Sequence, residues 1–379
     1  MTPGPVLVPN DIMETVALPI IHHRTEAFES DLKFVLETLP KIFKTKEKAF
    51  ILNATGSGAM ECAVVNTLSP QDKVLCLDTG KFGERWSEIC KVYGLNVITH
   101  KVTWGEAFKV SDVETIFKEH TDIKAVFCQA CETSTGVLNP VHELGDFIKT
   151  TQALLIVDGI TALGATHLNM DMWGLDVVVG GSQKAFMLPT GLAMIAFSKK
   201  AWEASKNSKL PKFYFDIARE KKANEKFQTF FSSPVTNIRA LKTALEIITK
   251  TGIENFIERH EIIAQGVRAS GQALGLKVFA KKPSPTVTAF ELPAGINGEE
   301  VQKIVEEKHR ITVAGGQDHL KGKVIRVGHM GGIEKDHVFM TLKALAETLT
   351  ELGFKTSPEK AIEIAQIQLK NLKPLAKVN

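Results

Sequence analysis

Along residues 49–197, short apolar runs alternate with stretches whose apolar residues recur at helical spacing. The runs cover 49–53, 73–78, 96–101, 124–129, 153–158, 176–180 and 192–197. Most are continuous rather than alternating, which suits strands covered on both faces. The stretches between the first five runs, such as 83–93 and 111–120, read as amphipathic helices. Strand then helix, repeated, predicts βαβ units and a mostly parallel sheet of seven strands. Only about a dozen residues separate the last two runs. That leaves no room for a standard crossover helix, so one of the two is expected to run antiparallel.

Helical spacing dominates from Pro234 to Leu274. After Pro283 the texture changes to strand-like 286–292, helical 297–309, strand-like 311–313 and 323–327, and helical 335–352. The chain therefore reads as α/β, with a large domain over 1–260 and a smaller α+β domain over 261–379. Beyond Pro358 a terminal helix is expected, its amphipathic part at 359–369 docking on the small domain. The lysines at Lys370, Lys373 and Lys377 read as a solvated tail.

At 379 residues, the chain is long enough for two to three domains. It can bury about three-quarters of its surface without disulfides or metal. Hydrophobic content of 44% and charged content of 23% exclude disorder and fibrous classes. Basic residues number 46 and acidic residues 43. So small an excess marks neither a nucleic-acid nor an anionic-membrane partner. No apolar run reaches the length of a membrane span, and no secretory or organellar signal is visible, so a cytoplasmic protein is expected. The five cysteines are odd in number and fit a reducing compartment. Cys128 and Cys131 form a C-x-x-C without a second pair, and are expected to be buried spectators. The histidines at His22, His23, His142, His167 and His329 share no ligand spacing, so no metal is expected. His23 and Arg24 read as an active-site rim or a contact between subunits.

Three segments carry candidate chemistry. Asn53-Ala54-Thr55-Gly56-Ser57-Gly58-Ala59 follows the first strand and opens a helix. Its glycines allow a sharp turn, and a helix N-terminus offers free N–H groups to an anion such as phosphate. It is neither the dinucleotide fingerprint nor a P-loop. Asp158 ends a buried strand, where ligands of open α/β sheets bind. Lys184 follows Gly180-Gly181-Ser182-Gln183, where burial would lower its pKa and make it a nucleophile. A phosphate turn, a carboxylate and an amine at one sheet edge match the needs of pyridoxal 5′-phosphate (PLP).

On these residues the chain resembles the fold-type I, PLP-dependent class V aminotransferases, and within them the alanine–glyoxylate and serine–pyruvate group. The matching segments are Thr2-Pro3-Gly4-Pro5, 23–28, 55–58, Lys81-Phe82-Gly83-Glu84-Arg85-Trp86, Trp104-Gly105, 132–136, Val157-Asp158, 181–184 and 325–331. The resemblance implies the aspartate aminotransferase-like fold and a homodimer. It makes Lys184 the amine that carries the cofactor and Asp158 the partner of the ring nitrogen. Trp104 would stack on the ring, and Thr133 would bond its phenolic oxygen. Ser57, Gly58 and Ala59 would hold the phosphate, with Gln183 assisting. Ile160 would contact the cofactor, and Ser232 would complete the phosphate site of the partner subunit. Arg326 would grip the substrate α-carboxylate, and Gly4 would line the way in.

Three departures from the family pattern are Ala162 where Ser is common, Ser232 where Thr is common, which keeps the hydroxyl, and Thr229 where a Tyr contacts the cofactor. The expected reaction passes an amino group from alanine or serine to glyoxylate or pyruvate by a ping-pong route. The alternatives are an aminotransferase for aspartate, ureidoglycine or a phosphonate amine, and a non-catalytic subunit that kept the fold. A cysteine desulfurase would need a cysteine downstream of the lysine, and none follows Cys131.

Overall fold

In the computed structural model, which describes residues 1–378, seven strands build one sheet. They are β1 (Ala49–Leu52), β2 (Lys73–Asp78), β3 (Asn96–Lys101), β4 (Ala125–Gln129), β5 (Leu154–Asp158), β6 (Val177–Gly181) and β7 (Ala193–Phe197). Their spatial order is β1-β7-β6-β5-β4-β2-β3. β3, β2, β4, β5 and β6 pair in parallel, and β7 runs antiparallel to both β6 and β1. The short β6–β7 connection thus has the consequence expected of it. β4, β5, β6 and β7 are buried at every position, as continuous apolar runs require. β3 differs because it is the sheet's edge, and its residues are exposed or half-buried.

Apolar side chains on the two faces of this sheet feed two separate cores. Leu75, Val126, Leu155 and Val178 point into one, with Phe28, Leu32 and Leu245 from helices Glu26–Phe43 and Val235–Thr251. Phe127, Ile156, Val179 and Ile195 point into the other, with Met60 and Val64 from helix Gly56–Thr67. The alternation along each strand is the period of two in action. Tiling both faces with helices buries the parallel ladder.

A second, antiparallel sheet joins Lys277–Val278, Val287–Glu291, Val324–Gly328 and Ala314–Gly315, in that order. The strand anticipated at 311–313 forms at Ala314–Gly315 instead. Val313 is buried in the small core rather than paired in the sheet. The helical stretch from Pro234 breaks at Gly252 into Val235–Thr251 and Ile253–Ala273. Within the second helix Phe256 belongs to the large core, while Ile263 and Val267 belong to the small one. The terminal helix Pro358–Gln368 packs on that same helix through Ala361, Ala365 and Leu369. The lysine-rich tail is not simply solvated: Leu372 is buried, the Ala376 N–H donates to Thr251 Oγ1, and the Val378 N–H donates to Asp11. Its leucines and backbone bonds outweigh its charge. Among the described residues no helix is long and apolar enough to cross a membrane.

Candidate active site

Parallel strands end on one side of the sheet, so Asp158, which ends β5, and Gly181, which ends β6, lie along the same edge. Helices Gly56–Thr67 and Lys81–Val92 begin near that edge. Between them lies a cavity of about 100 Å³, lined by Ser57, Thr133, Asp158, Ile160, Gln183 and Lys184 from the sequence reading. Thr55, Gly56, Phe82, Arg85 and Thr161 line it as well. A wider groove of about 760 Å³ beside His142, Trp173 and Glu258 contains none of these groups.

Lys184 is half-buried, and its Nζ donates to the Pro3 carbonyl at 2.6 Å. Gly4 is pressed so close that a Cβ there would sit 2.3 Å from Nζ, and its φ of +124° suits only glycine. Burial lowers the Lys184 pKa from 10.5 to about 8; Asp158 opposes the shift, and Arg326 and Arg85 add to it. Burial raises Asp158 to about 6, against the pull of the Ile160 N–H, Arg85 and Lys184. The Ile160 N–H donates to Asp158 Oδ1 at 2.8 Å and fixes the carboxylate's orientation. The amine is thus drawn toward its neutral, nucleophilic form, and the acid becomes easier to protonate than usual.

Arg326 arrives from the small sheet and is buried. Its Nε donates to the Gly315 carbonyl at 2.7 Å, and Nη1 donates to the Thr133 carbonyl at 3.0 Å. Burial lowers its pKa, and the nearby Glu132 opposes that shift. Held by carbonyls on two sides, the guanidinium keeps a fixed orientation. Glu132 accepts from the N–H groups of Phe82 and Gly83, and from both N–H and Oγ of Ser134. It caps helix Lys81–Val92 from another part of the chain and fixes Phe82 against the cavity.

Several other residues singled out by the sequence lie away from this cavity. Gly58 and Ala59 do not line the cavity. Their N–H groups turn back to the Thr55 carbonyl, and Ala59 is buried in the apolar core. The open donors at the helix start belong instead to Gly56 and Ser57, the first turn after the N-cap Thr55. Trp104 stands outside the cavity against His319, ring centres 4.5 Å apart. The aromatic ring that lines the cavity is Phe82. Ala162 packs in the large core, so its departure from Ser does not reshape the cavity. Ser232 lies away from its own chain's Lys184, beside Asn53, Tyr214 and Phe231. Thr229 bonds the Phe231 carbonyl and the Ser233 hydroxyl nearby. The C-x-x-C thiols are free and buried; burial raises both, Cys131 to about 12.

The cavity fits PLP on three counts. Gln183 carries a side-chain amide whose buried oxygen has no partner within the chain, so nothing stops the amide from turning its NH2 donor toward an anion. A Cβ on Gly56 would lie 2.4 Å from Ile160 Cδ1, so a larger residue there would push Ile160 at the cavity's lip. Amine, carboxylate and open helix N-terminus border a single space.

Comparison with known proteins agrees. The model of the family described as "Aminotransferase class-V" matches residues 17–330. The chain is 35% identical to the L-aspartate–glyoxylate aminotransferase of Paracoccus denitrificans, over 96% of this chain and 94% of that one. It is 39% identical to a protein named soluble hydrogenase, small subunit, of a Synechococcus strain, over 93% of each chain. Among solved structures, the ureidoglycine–glyoxylate aminotransferase of Bacillus subtilis superposes with a TM-score of 0.92 at 29% identity, over 98% of this chain and 97% of that one.

Proposed function

The chain belongs to the class-V aminotransferases, which are PLP-dependent enzymes, and from that premise we propose that it transfers the amino group of alanine or serine to glyoxylate or pyruvate. The observation that carries the donor choice is the cation count around the cavity. In this reading Arg326, bonded to the carbonyl of the cavity-lining Thr133, takes the α-carboxylate, while Arg85 lies beside Ser57 and Arg24 is exposed on the surface. A dicarboxylate donor would need another cation on the substrate side. Glyoxylate as acceptor is supported by the names of two of the relatives above.

Lys184 would hold the cofactor, Asp158 would pair with its ring nitrogen, and Phe82 would lie against the ring. Thr133 would bond the phenolic oxygen, and Thr55, Gly56, Ser57 and Gln183 would take the phosphate. Bound there, PLP supplies a protonated ring that accepts electron density from the substrate Cα. Arg326 orients the substrate through its carboxylate. Lys184 Nζ, depressed toward neutrality, takes the Cα proton as general base and gives it back as general acid. Over the whole cycle the donor would give up its amino group and leave as an oxo acid, and a second oxo acid would take that amino group up and leave as an amino acid. Ile160, Thr161 and Cys131 narrow the space and exclude water.

The working unit is a homodimer in this reading. Ser232 does not line its own chain's Lys184 cavity, and exposed Phe213, Tyr214, Leu18 and Ile20 supply apolar surface for a second copy. Single-turnover spectra with alanine, serine and aspartate test the donor. Fast conversion by alanine or serine is expected, and faster conversion by aspartate overturns the choice. The hydrogenase-subunit name of one relative raises a non-catalytic reading. Lys184, Asp158 and Arg326 are all in place, which counts against it. A protein that stays colourless with added PLP would favour it.

A further inference from the structure

Arg85 lies in the first turns of helix Lys81–Val92 and lines the cavity, a position the motif reading left without a role. Its Nη1 donates to Ser57 Oγ at 3.2 Å. Its Cζ stands 5.0 Å from the centre of the Phe82 ring. A guanidinium offers five N–H donors. Among the described residues, this one forms no ion pair with any carboxylate, and Ser57 is its one hydrogen-bond partner. Asp158 in the same cavity feels its charge, but no carboxylate contacts this half-buried cation, so its contact partner is an anion that a ligand brings.

The surroundings say which anion. Beside Ser57 stand the open N–H groups of the helix start, the Thr55 hydroxyl and the Gln183 side chain. These are mostly donors converging on one spot, and Asp158 is the only acid that lines the cavity. A phosphate monoester carries about −1.5 to −2 charges near neutral pH. A helix N-terminus offsets only about half a charge. The guanidinium supplies a full charge, and its fork matches two oxygens of a tetrahedral oxyanion. Phe82 stacks against the same cation, which holds the fork on the phosphate side.

We propose that Arg85 is the cation that binds the 5′-phosphate of PLP, gripping it together with the Ser57 end of the helix Gly56–Thr67. The inference rests on the reading of this cavity as the PLP site. It adds a charged ligand that the turn and Gln183 do not provide.

The test titrates full-length apoenzyme with PLP and with pyridoxal, which lacks the phosphate, in wild type, Arg85→Gln and Arg85→Lys. Affinity is read from visible absorbance and from quenching of intrinsic fluorescence. Arg85→Gln is expected to weaken PLP about 10- to 100-fold while leaving pyridoxal unchanged. Arg85→Lys, which keeps a point charge without the fork, should fall between. Inorganic phosphate should compete with PLP for wild type and lose that power in Arg85→Gln. Equal weakening of PLP and pyridoxal would make Arg85 a support for Phe82 alone and overturn the proposal. So would an unchanged ratio accompanied by a raised KM for aspartate, which would move Arg85 to the substrate side. Should Arg85→Gln fail to fold, the ratio in Arg85→Lys decides. Borohydride fixation of PLP on wild-type Lys184 separates this inference from the reading beneath it. Without that label the PLP site itself is wrong; with it, only Arg85 is at stake.

Discussion

Replacing Lys184 with methionine should abolish turnover and yet stabilise the cofactor-free chain. Burial takes the lysine's pKa from 10.5 to about 8, against the opposing pull of Asp158. A lysine whose folded pKa lies below its unfolded value costs stability, fully so below the folded pKa. The cost is therefore complete below pH 8 and fades as pH rises toward 10.5. At about 1.4 kcal/mol per unit, the drop amounts to about 3 kcal/mol. Methionine has similar length and no charge. The exchange also removes the Nζ–Pro3 hydrogen bond, worth about 1 kcal/mol. It deprives Asp158 of a favourable charge as well. The net gain is about 1–2 kcal/mol at pH 7. With an unfolding entropy of about 2.1 cal/mol/K per residue, that is roughly 1–3 °C in Tm. Thermal and urea unfolding of apo wild type and Lys184→Met, at pH 7 and pH 10.5, measures it. A lower Tm for the variant at pH 7, or the same gain at both pH values, would refute the claim that the buried amine stores the cost.

Phe82→Ala should weaken PLP binding to apoenzyme by about 0.5–1.5 kcal/mol, while Trp104→Ala changes it little; the reverse order would restore Trp104 to the ring. Arg326→Ala should raise KM for every α-carboxylate substrate by about 2–5 kcal/mol, and steady-state kinetics showing an unchanged KM would put the carboxylate elsewhere. Capture of pyridoxal by apoenzyme needs the neutral amine, so its rate should climb with pH through about 8, the Lys184 value, and a midpoint near 10.5 in stopped-flow traces would mean the amine is solvated. Gly4→Ala places a Cβ against Nζ at a φ of +124°, so it should lower Tm and slow PLP loading, and wild-type behaviour on both counts would detach residues 2–5 from the site.

The sheet was legible because burial on two faces writes itself as unbroken apolar runs, and only the exposed edge strand Asn96–Lys101 departed from that signature. Asp158 and Lys184 were legible from topology, since a polar residue just past a buried strand has few places to go. The glycine-rich turn was legible as the start of a helix. Its glycines mark the bend, but which N–H groups stay open depends on the Thr55 carbonyl taking those of Gly58 and Ala59. Trp104 was expected at the ring from the family resemblance, while the aromatic side chain that lines the cavity is Phe82. What decides the matter is that Glu132, far along the chain, caps the helix bearing Phe82. That contact has no local signature. The small strand at Ala314–Gly315 was displaced for a similar reason, because Gly315's carbonyl is held by Arg326.

Three parts of the chain meet at Lys184, and each is tied to the others through backbone. The N-terminal segment lays the Pro3 carbonyl on Nζ, and its Val6 N–H donates to the Gln183 carbonyl. The small sheet presses Gly328 against the Thr2 carbonyl, where a Cβ would come within 2.1 Å, while Arg326 reaches across to Thr133. The large sheet contributes Asp158 and Lys184 itself. Residues 2–5 are therefore held at both ends, by the small sheet through Gly328 and by the loop after β6 through Gln183 and Lys184, which is why a segment without regular structure keeps a fixed place beside the amine.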